Sequence, residues 1–198
     1  MTKPFRRTIA FLGAIALAGS LTACGSNSSG GGGSGNSTAA QDVTSAAAEA
    51  SASGTAVPFT GDLPVLGSQE LQLKDEQVRV DLNAVRVTDE FTIVTFSVTK
   101  LSPDEDEYDN YSPGNAFDGV GNTTDGVTVI DGANKKVYEA ARTEDGGCLC
   151  SSTTGQYIKS GETAIYYTTF ARLPKDVEKV NVKIPSVPQV FEGVKVTR

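Results

Sequence analysis

Apolar and polar residues alternate with a period of two over most of the C-terminal two thirds of the chain. The first such stretch places apolar side chains at every second position, namely at Val78, Val80 and Leu82. Successive side chains of a β-strand point to opposite faces of a sheet, so this pattern predicts a strand with one buried face. The alternation shifts by one residue at Val85 and Val87, which predicts a β-bulge near residues 83–84.

Six further segments have the composition of strands. Residues 91–101 combine β-branched and aromatic side chains and are predicted to form a central strand. Residues 88–90 would join it to the preceding strand as a hairpin. The other five share apolar runs or alternation bounded by turn-forming residues, and they span residues 126–130, 136–140, 163–171, 177–184 and 190–196.

The predicted fold class is therefore all-β, because no helical pattern in residues 58–198 extends beyond a turn or two. Short strands with turns at intervals of about 8–12 residues favour an Ig-like Greek-key β-sandwich of about seven to eight strands. A small closed barrel is the alternative. The chain contains no Trp, so it lacks the Cys…Trp…Cys signature of antibody domains, and only an Ig-like assignment is justified.

The first 23 residues have the charge and apolar pattern of a signal peptide. Lys3, Arg6 and Arg7 precede an uninterrupted run of apolar or small residues at positions 9–19. As a helix this run would extend about 16 Å, whereas a bilayer core about 30 Å thick requires about 20 residues. We therefore interpret it as the apolar region of a signal peptide and not as a permanent span.

The residues after this run, Leu21-Thr22-Ala23-Cys24-Gly25, resemble the lipobox of bacterial lipoproteins. The resemblance implies cleavage after Ala23 and lipidation of the Cys24 sulfur with diacylglycerol, whose acyl chains, such as palmitate, insert into the membrane. Two or three acyl chains give stable anchoring, at about 0.8 kcal/mol per buried methylene. An ordinary secretory signal that leaves Cys24 free is the alternative.

The chain is predicted to have three parts. Residues 1–23 form the signal peptide, which is removed. Residues 24–57 are rich in Gly, Ser, Ala and Thr and are predicted to form a disordered, lipid-anchored linker. A linker of about 35 residues has a root-mean-square reach of roughly 30–35 Å, and it would hold the Ig-like domain of residues 58–198 away from the bilayer.

The charge of the chain argues against several partners and activities. Lys and Arg total 17, Asp and Glu total 24, and the formal net charge is −7 at pH 7. No nucleic acid partner is expected, because phosphate contacts require a basic patch, and an anionic lipid surface would repel the domain. The absence of His removes His-based catalysis and His-ligated metal sites. We predict no enzyme activity, no catalytic residues and no cofactor.

Cys148 and Cys150 form an even pair once Cys24 is set aside. In the oxidising compartment that a secretory signal implies, such a pair is predicted to form a disulfide. Cysteines two residues apart reach the necessary Cα separation only if Leu149 leaves the extended conformation. We interpret the pair as a clasp on a turn between two strands. A redox-active pair is the alternative, whereas two thiolates without further ligands make a poor metal site.

Residues 102–126 form a long connection with no strand pattern. Its acidic run at residues 104–110 could supply oxygen ligands to Ca²⁺, with Asp118, Asn122 and Asp125 as further ligands. The order of ligands in an EF-hand is missing, and a solvated acidic loop is the alternative interpretation.

The aromatic residues of this connection have two interpretations. Tyr108, Tyr111 and Phe117 stand among acidic residues and glycines. They form either a recognition surface, since exposed aromatic side chains anchor partners, or part of a loop that packs its own rings onto the sandwich.

Three segments of the domain are similar to a domain of exported actinobacterial proteins. They are Gly147-Cys148-Leu149-Cys150-Ser151, Ser160-Gly161-Glu162-Thr163, and Phe170-Ala171-Arg172-Leu173-Pro174 followed by Asp176-Val177. That domain occurs in lipoproteins and ahead of OmpA-like peptidoglycan-binding domains, within a wider group of Ig-like domains of unknown function. The resemblance covers about residues 75–198 and implies an Ig-like fold outside the cytoplasm. It does not extend to peptidoglycan binding, because the sequence has no OmpA-like segment.

These observations predict a lipoprotein anchored to the cell membrane on its extracytoplasmic face. Lipid on Cys24 would attach it to the membrane, and a non-catalytic Ig-like module would contact an envelope protein or a small ligand through its loops. The alternatives are a thiol-disulfide protein that uses Cys148 and Cys150, and a Ca²⁺-dependent binder that uses the acidic loop.

Overall fold

The computed structural model describes residues 63–103, 111–119 and 121–198. Within these ranges the regular elements are all β-strands, as predicted. They are β1 (Gly67–Leu73), β2 (Glu76–Val87), β3 (Phe91–Lys100), β4 (Thr128–Asp131), β5 (Lys136–Tyr138), β6 (Thr163–Ala171), β7 (Lys179–Lys183) and β8 (Phe191–Lys195). The predicted signal peptide and linker, residues 1–57, lie outside the described residues.

The strands form two antiparallel sheets of four strands each. The first has the order β1-β2-β3-β6 and the second the order β5-β4-β7-β8. Buried apolar side chains from both sheets belong to one hydrophobic cluster. The arrangement is consistent with the predicted β-sandwich.

The period-two pattern located seven of the eight strands. Its predicted bulge is confirmed, because the register between β2 and β3 shifts between Leu82 and Ala84. Residues 88–90 connect these two strands as a hairpin, in which Val87 pairs with Thr92. The turn between β4 and β5 is closed by Asp131, whose carboxylate accepts hydrogen bonds from the backbone and side chain of Asn134 at 3.1 and 2.8 Å.

The pattern missed β1, because this edge strand has no continuous apolar face. Three of its seven residues are exposed, and only Leu73 is buried. Its position is fixed by pairing with β2 along its whole length and by close contact with β8. A Cβ atom added to Gly67 would lie 2.6 Å from the Cδ1 atom of Phe191, so a larger residue there would force the Phe191 ring to shift.

Aromatic rings fill the centre of the core. Phe96 of β3 stacks on Tyr166 of β6 with ring centroids 5.6 Å apart, and Phe117 meets Phe96 edge-on at 5.3 Å. Phe117 and Tyr111 both come from the long connection between β3 and β4, and both are buried. For these two residues the loop packs its own rings onto the sheets, which is one of the two predicted alternatives; Tyr108 lies outside the described residues.

Polar groups are enclosed beside this aromatic cluster. The side chain of Lys100 is fully buried, and its Nζ lies 3.7 Å from Oε1 of Glu76. The hydroxyl groups of Tyr111 and Tyr166 have no hydrogen-bond partner among the described residues. Burial, together with the nearby Tyr111, raises the pKa of Tyr166 above its ordinary value, since a buried phenolate would lose its hydration.

The variant Tyr166→Phe tests this enclosed hydroxyl. Removing a buried polar atom that makes no hydrogen bond should leave the free energy of unfolding at pH 7 unchanged or raise it by up to about 1 kcal/mol. A raised folded-state pKa gives stability that is present below the unfolded pKa of about 10 and is lost as the pH rises further. Urea denaturation should therefore show a smaller alkaline loss for the variant than for the wild type.

Phe96→Leu serves as the control for that experiment, because it truncates the stacked ring without touching the hydroxyl and should cost about 1 kcal/mol or more. A loss of more than about 1 kcal/mol in Tyr166→Phe would contradict the interpretation and indicate that the hydroxyl is hydrogen bonded.

Candidate functional site

The two predicted disulfide cysteines lie at the base of a tight hairpin. We call residues 141–150 the cysteine hairpin. The sulfur atoms of Cys148 and Cys150 are within bonding distance, and their Cα atoms are 5.3 Å apart. Cys148 pairs with Arg142 across the hairpin, and the Thr143 amide donates to the Gly147 carbonyl at 2.8 Å. Both cysteines therefore lie in the second arm of the hairpin, after its turn, and the clasp interpretation stays a prediction.

The cysteine hairpin is attached to the free edge of β6. The Ala141 amide donates to the Thr169 carbonyl at 2.7 Å, and the Thr169 amide donates to the Leu149 carbonyl at 3.0 Å. Cys150 also forms a bridge with Thr168. Because Cys148 and Cys150 belong to a segment hydrogen bonded to β6, a long and fully paired strand sets their position.

An ion pair joins the cysteine hairpin to the long connection. Arg142 Nη2 donates to Asp125 Oδ2 at 2.7 Å, and the side chain of Asp125 is only 3% exposed. The other carboxylate oxygen, Oδ1, accepts hydrogen bonds from the Gly119 amide at 3.1 Å and from the Thr123 hydroxyl at 3.0 Å. Asp125 therefore links two loops through both of its oxygens.

The electrostatic environment keeps Asp125 ionised. Burial alone raises the pKa of this carboxyl group, but the Gly119 amide, the Arg142 guanidinium and the Thr123 hydroxyl outweigh burial, and the pKa lies below its ordinary value of 3.8. Hydrogen bonds to the charged form and a nearby cation both favour the carboxylate.

The hydrogen bonds that Asp125 accepts bear on the predicted calcium site. Both of its oxygens already have protein partners, and the positive charge of Arg142 beside Oδ2 would repel a bound cation. Asp118 and Asn122 lie in the same connection between β3 and β4 as Asp125. The acidic run 104–110 lies outside the described residues. Among the residues that the structure describes, no group of three or more His, Cys, Asp or Glu residues could hold a metal ion.

A second site, which the sequence did not indicate, is a basic cleft at the end of the first sheet where β2 and β6 finish. It has a volume of about 310 Å³ and is lined by Arg86, Val87, Thr88, Asp89, Arg172 and Arg198. We call it the arginine cleft. Three arginine residues line it, in a chain whose formal net charge is −7 at pH 7.

Strand register assembles the arginine cleft from distant parts of the sequence. Ala171, which precedes Arg172, pairs with Phe91 at the start of β3, and the same end of β3 pairs with the end of β2 beyond Arg86. Arg86 in turn forms a parallel bridge with Thr197, the neighbour of Arg198. The arginines were missed because no short-range spacing connects them; the only signal is that each lies near the end of a strand or of the chain.

The residues of the predicted lipid anchor, including Cys24, lie outside the described residues. Among the residues that are described, the structure contains no helix long and apolar enough to cross a membrane.

Comparison with known proteins gives no relative for this chain. No family model matches it, and neither a curated protein nor a solved structure matches it. The resemblance based on residues 147–151, 160–163 and 170–177 therefore stays a prediction.

The variant Asp125→Ala tests the link between the two loops. It removes three hydrogen bonds to an ionised carboxylate, one of them from the cationic Arg142, and should lower the free energy of unfolding at pH 7 by about 2 kcal/mol or more. A depressed folded-state pKa gives stability that is present above the unfolded value and is lost as the pH falls through the folded value. Urea denaturation between about pH 5 and about pH 3 should accordingly show a shallower acid loss in the variant.

Glu144→Gln is the matched control, since Glu144 is an exposed acid of the cysteine hairpin and should change stability by less than about 0.5 kcal/mol. An equally steep acid loss in Asp125→Ala and the wild type would show that Asp125 is not the titrating group.

Proposed function

We propose that this protein is a lipid-anchored binding module on the extracytoplasmic face of a bacterial cell membrane, without catalytic activity. The observation that carries the proposal is the pair of sulfur atoms at bonding distance in the cysteine hairpin. Disulfides persist in oxidising compartments and are rare in the cytosol. The pair therefore supports export, which the signal-peptide pattern of residues 1–23 predicts independently.

The lipobox-like segment at residues 21–25 supplies the membrane attachment in this proposal. Acylated Cys24 would become the first residue of the mature protein, and the Gly- and Ser-rich residues 24–57 would connect it to the sandwich. The acidic domain gains nothing from the charge of an anionic membrane surface, so the acyl chains provide the attachment.

The proposal includes an Ig-like Greek-key connectivity for the sandwich. In its favour, the chain passes between the two sheets after β3, after β5 and after β6. The strand order differs from that of an immunoglobulin constant domain, in which A, B, E and D form one sheet, because β1, β2 and β3 are consecutive neighbours here. The proposed similarity to the immunoglobulin fold therefore concerns the two packed sheets and the chain crossings between them, not the order of the strands within each sheet.

A thiol-disulfide function is the second candidate, and one observation favours it. Cys148 is partly exposed, so a thiolate of another molecule could reach its sulfur. On the other side, Cys150 is only 9% exposed, and its segment is hydrogen bonded to β6. A structural clasp accounts for this attachment better than an exchanging pair does.

Replacing Cys24 tests the anchor. In cells that produce the full chain, Cys24→Ala should move the protein from the membrane fraction to the soluble exported fraction, because the acyl attachment site is lost. Mass spectrometry of the wild type should show an acylated N-terminal Cys24. A wild-type protein with an unmodified amino terminus in the soluble fraction would refute the proposal.

Replacing both hairpin cysteines separates the clasp from the redox candidate. The ring closed by Cys148 and Cys150 is very small, so the double serine variant should lose less than about 2 kcal/mol of stability, seen as a modest fall in the melting temperature by calorimetry. A redox function predicts instead that the wild type turns over a disulfide substrate and that Cys148→Ser alone abolishes this turnover.

A further inference from the structure

The arginine cleft has the composition of an anion-binding site. Five arginines lie in the described residues, and two of them are bound to aspartates: Arg79 donates to Asp81 at 2.9 Å and Arg142 to Asp125 at 2.7 Å. The other three line one cleft, and of these Arg86 also interacts with another part of the protein. We propose that the arginine cleft binds the phosphate group of a small soluble ligand. This inference deepens the proposed binding function and rests on it.

Arg172 is the residue that would contact the anion most directly. It is exposed, and none of the described residues forms a hydrogen bond or an ion pair with it. All five N–H groups of its guanidinium are therefore free to donate to a ligand.

Arg198 is held in place by the protein and still has donors to offer. Its Nη2 donates to the carbonyl groups of Pro174 and Val177 at 2.8 and 2.7 Å. These two hydrogen bonds use both hydrogens of Nη2, so Nη1 and Nε keep three N–H groups for a ligand. A guanidinium already held by the protein loses less conformational entropy on binding than a mobile one.

Phosphate fits this arrangement better than a carboxylate does. A guanidinium is a planar fork that pairs with two oxygens at once, and a phosphate has enough oxygens to accept from more than one fork. A carboxylate has only two oxygens, so two bidentate forks would have to share both of them. Two arginines with free donors in one cleft, Arg172 and Arg198, therefore favour the tetrahedral anion.

The size and setting of the cleft favour a small soluble ligand. A volume of about 310 Å³ lies at the lower end of the range for small-molecule sites, roughly 300–1,000 Å³. The net charge of −7 repels an anionic membrane surface as a whole, so lipid headgroups are the less favoured source of phosphate.

Replacing Asp89 tests whether the charge of the cleft determines phosphate binding. It lines the same cleft, and no ion pair joins it to Arg172 or Arg198 within the described part of the chain. Its carboxylate should repel a bound phosphate. Asp89→Asn should consequently bind phosphate more tightly than the wild type.

Titration calorimetry of the full chain with inorganic phosphate, in detergent and at low salt, tests the proposal. We expect saturable binding that Arg172→Ala weakens about tenfold or more, the value of one charge-assisted hydrogen-bonded pair. Asp89→Asn should strengthen binding. Lys175→Ala, which removes an exposed cation near Arg172 but outside the cleft lining, should stay within about twofold of the wild type.

Three results would overturn the proposal. They are equal phosphate affinity of Arg172→Ala and the wild type, acetate binding as tight as phosphate binding, and binding to vesicles of an anionic phospholipid without binding to inorganic phosphate. Circular dichroism confirms that each variant is folded, and Arg172→Lys, which keeps the charge but loses the fork, should show an intermediate affinity.

The phosphate titration and the membrane fractionation of the wild type test the cleft and the anchor separately, and Cys24→Ala should bind phosphate as tightly as the wild type. A soluble wild type that binds phosphate would refute the lipid anchor and leave the cleft intact. An anchored wild type that does not bind phosphate would refute the cleft and leave the anchor intact.

Discussion

Antiparallel pairing of β3 with β2 on one side and with β6 on the other determines where most other parts of the domain lie. The three strands are the longest in the described chain, and their pairing runs from Val78↔Lys100 to Phe91↔Ala171. A shift of one residue in this register would exchange the two faces of the sheet. It would also separate the end of β2 from the end of β6, where Arg86 and Arg172 line the arginine cleft.

The outer edge of β6 positions the cysteine hairpin and part of the long connection between β3 and β4. The cysteine hairpin is hydrogen bonded to β6 through backbone groups, and Asp125 ties the hairpin to the connection between β3 and β4. The hydroxyl of Thr168 adds hydrogen bonds of 2.9 Å to the backbone and side-chain oxygens of Thr124. Loops that have no strand structure of their own are thus held by polar contacts to a strand.

Strands with a clear apolar alternation could be predicted from the sequence, because burial of one sheet face requires a period of two. The bulge after Leu82 could be predicted for the same reason, since an inserted residue shifts the phase of the alternation. β1 could not, because an edge strand stabilised by backbone pairing and by contact of Gly67 with Phe191 does not need an apolar face.

Candidate site residues divide in a similar way. Cys148 and Cys150 are close in sequence, so their pairing could be predicted from spacing and from the expected compartment. The ion pair of Asp125 with Arg142 spans 17 residues, and the arginine cleft joins residues from three strand ends. Contacts of this kind depend on register and topology, which local composition does not encode. The acidic composition even pointed away from a basic site, because a net charge averages over the whole surface.

The parallel bridge between Arg86 and Thr197 has a consequence for folding. The Val87 amide donates to the Thr197 carbonyl at 2.8 Å, and the Thr197 hydroxyl donates to the Val85 carbonyl across 112 residues of sequence. Contacts of such high sequence separation carry the largest loop-closure entropy and form slowly. The β2–β3 hairpin can therefore form early, whereas the lining of the arginine cleft is complete only when the segment after β8 docks against the end of β2.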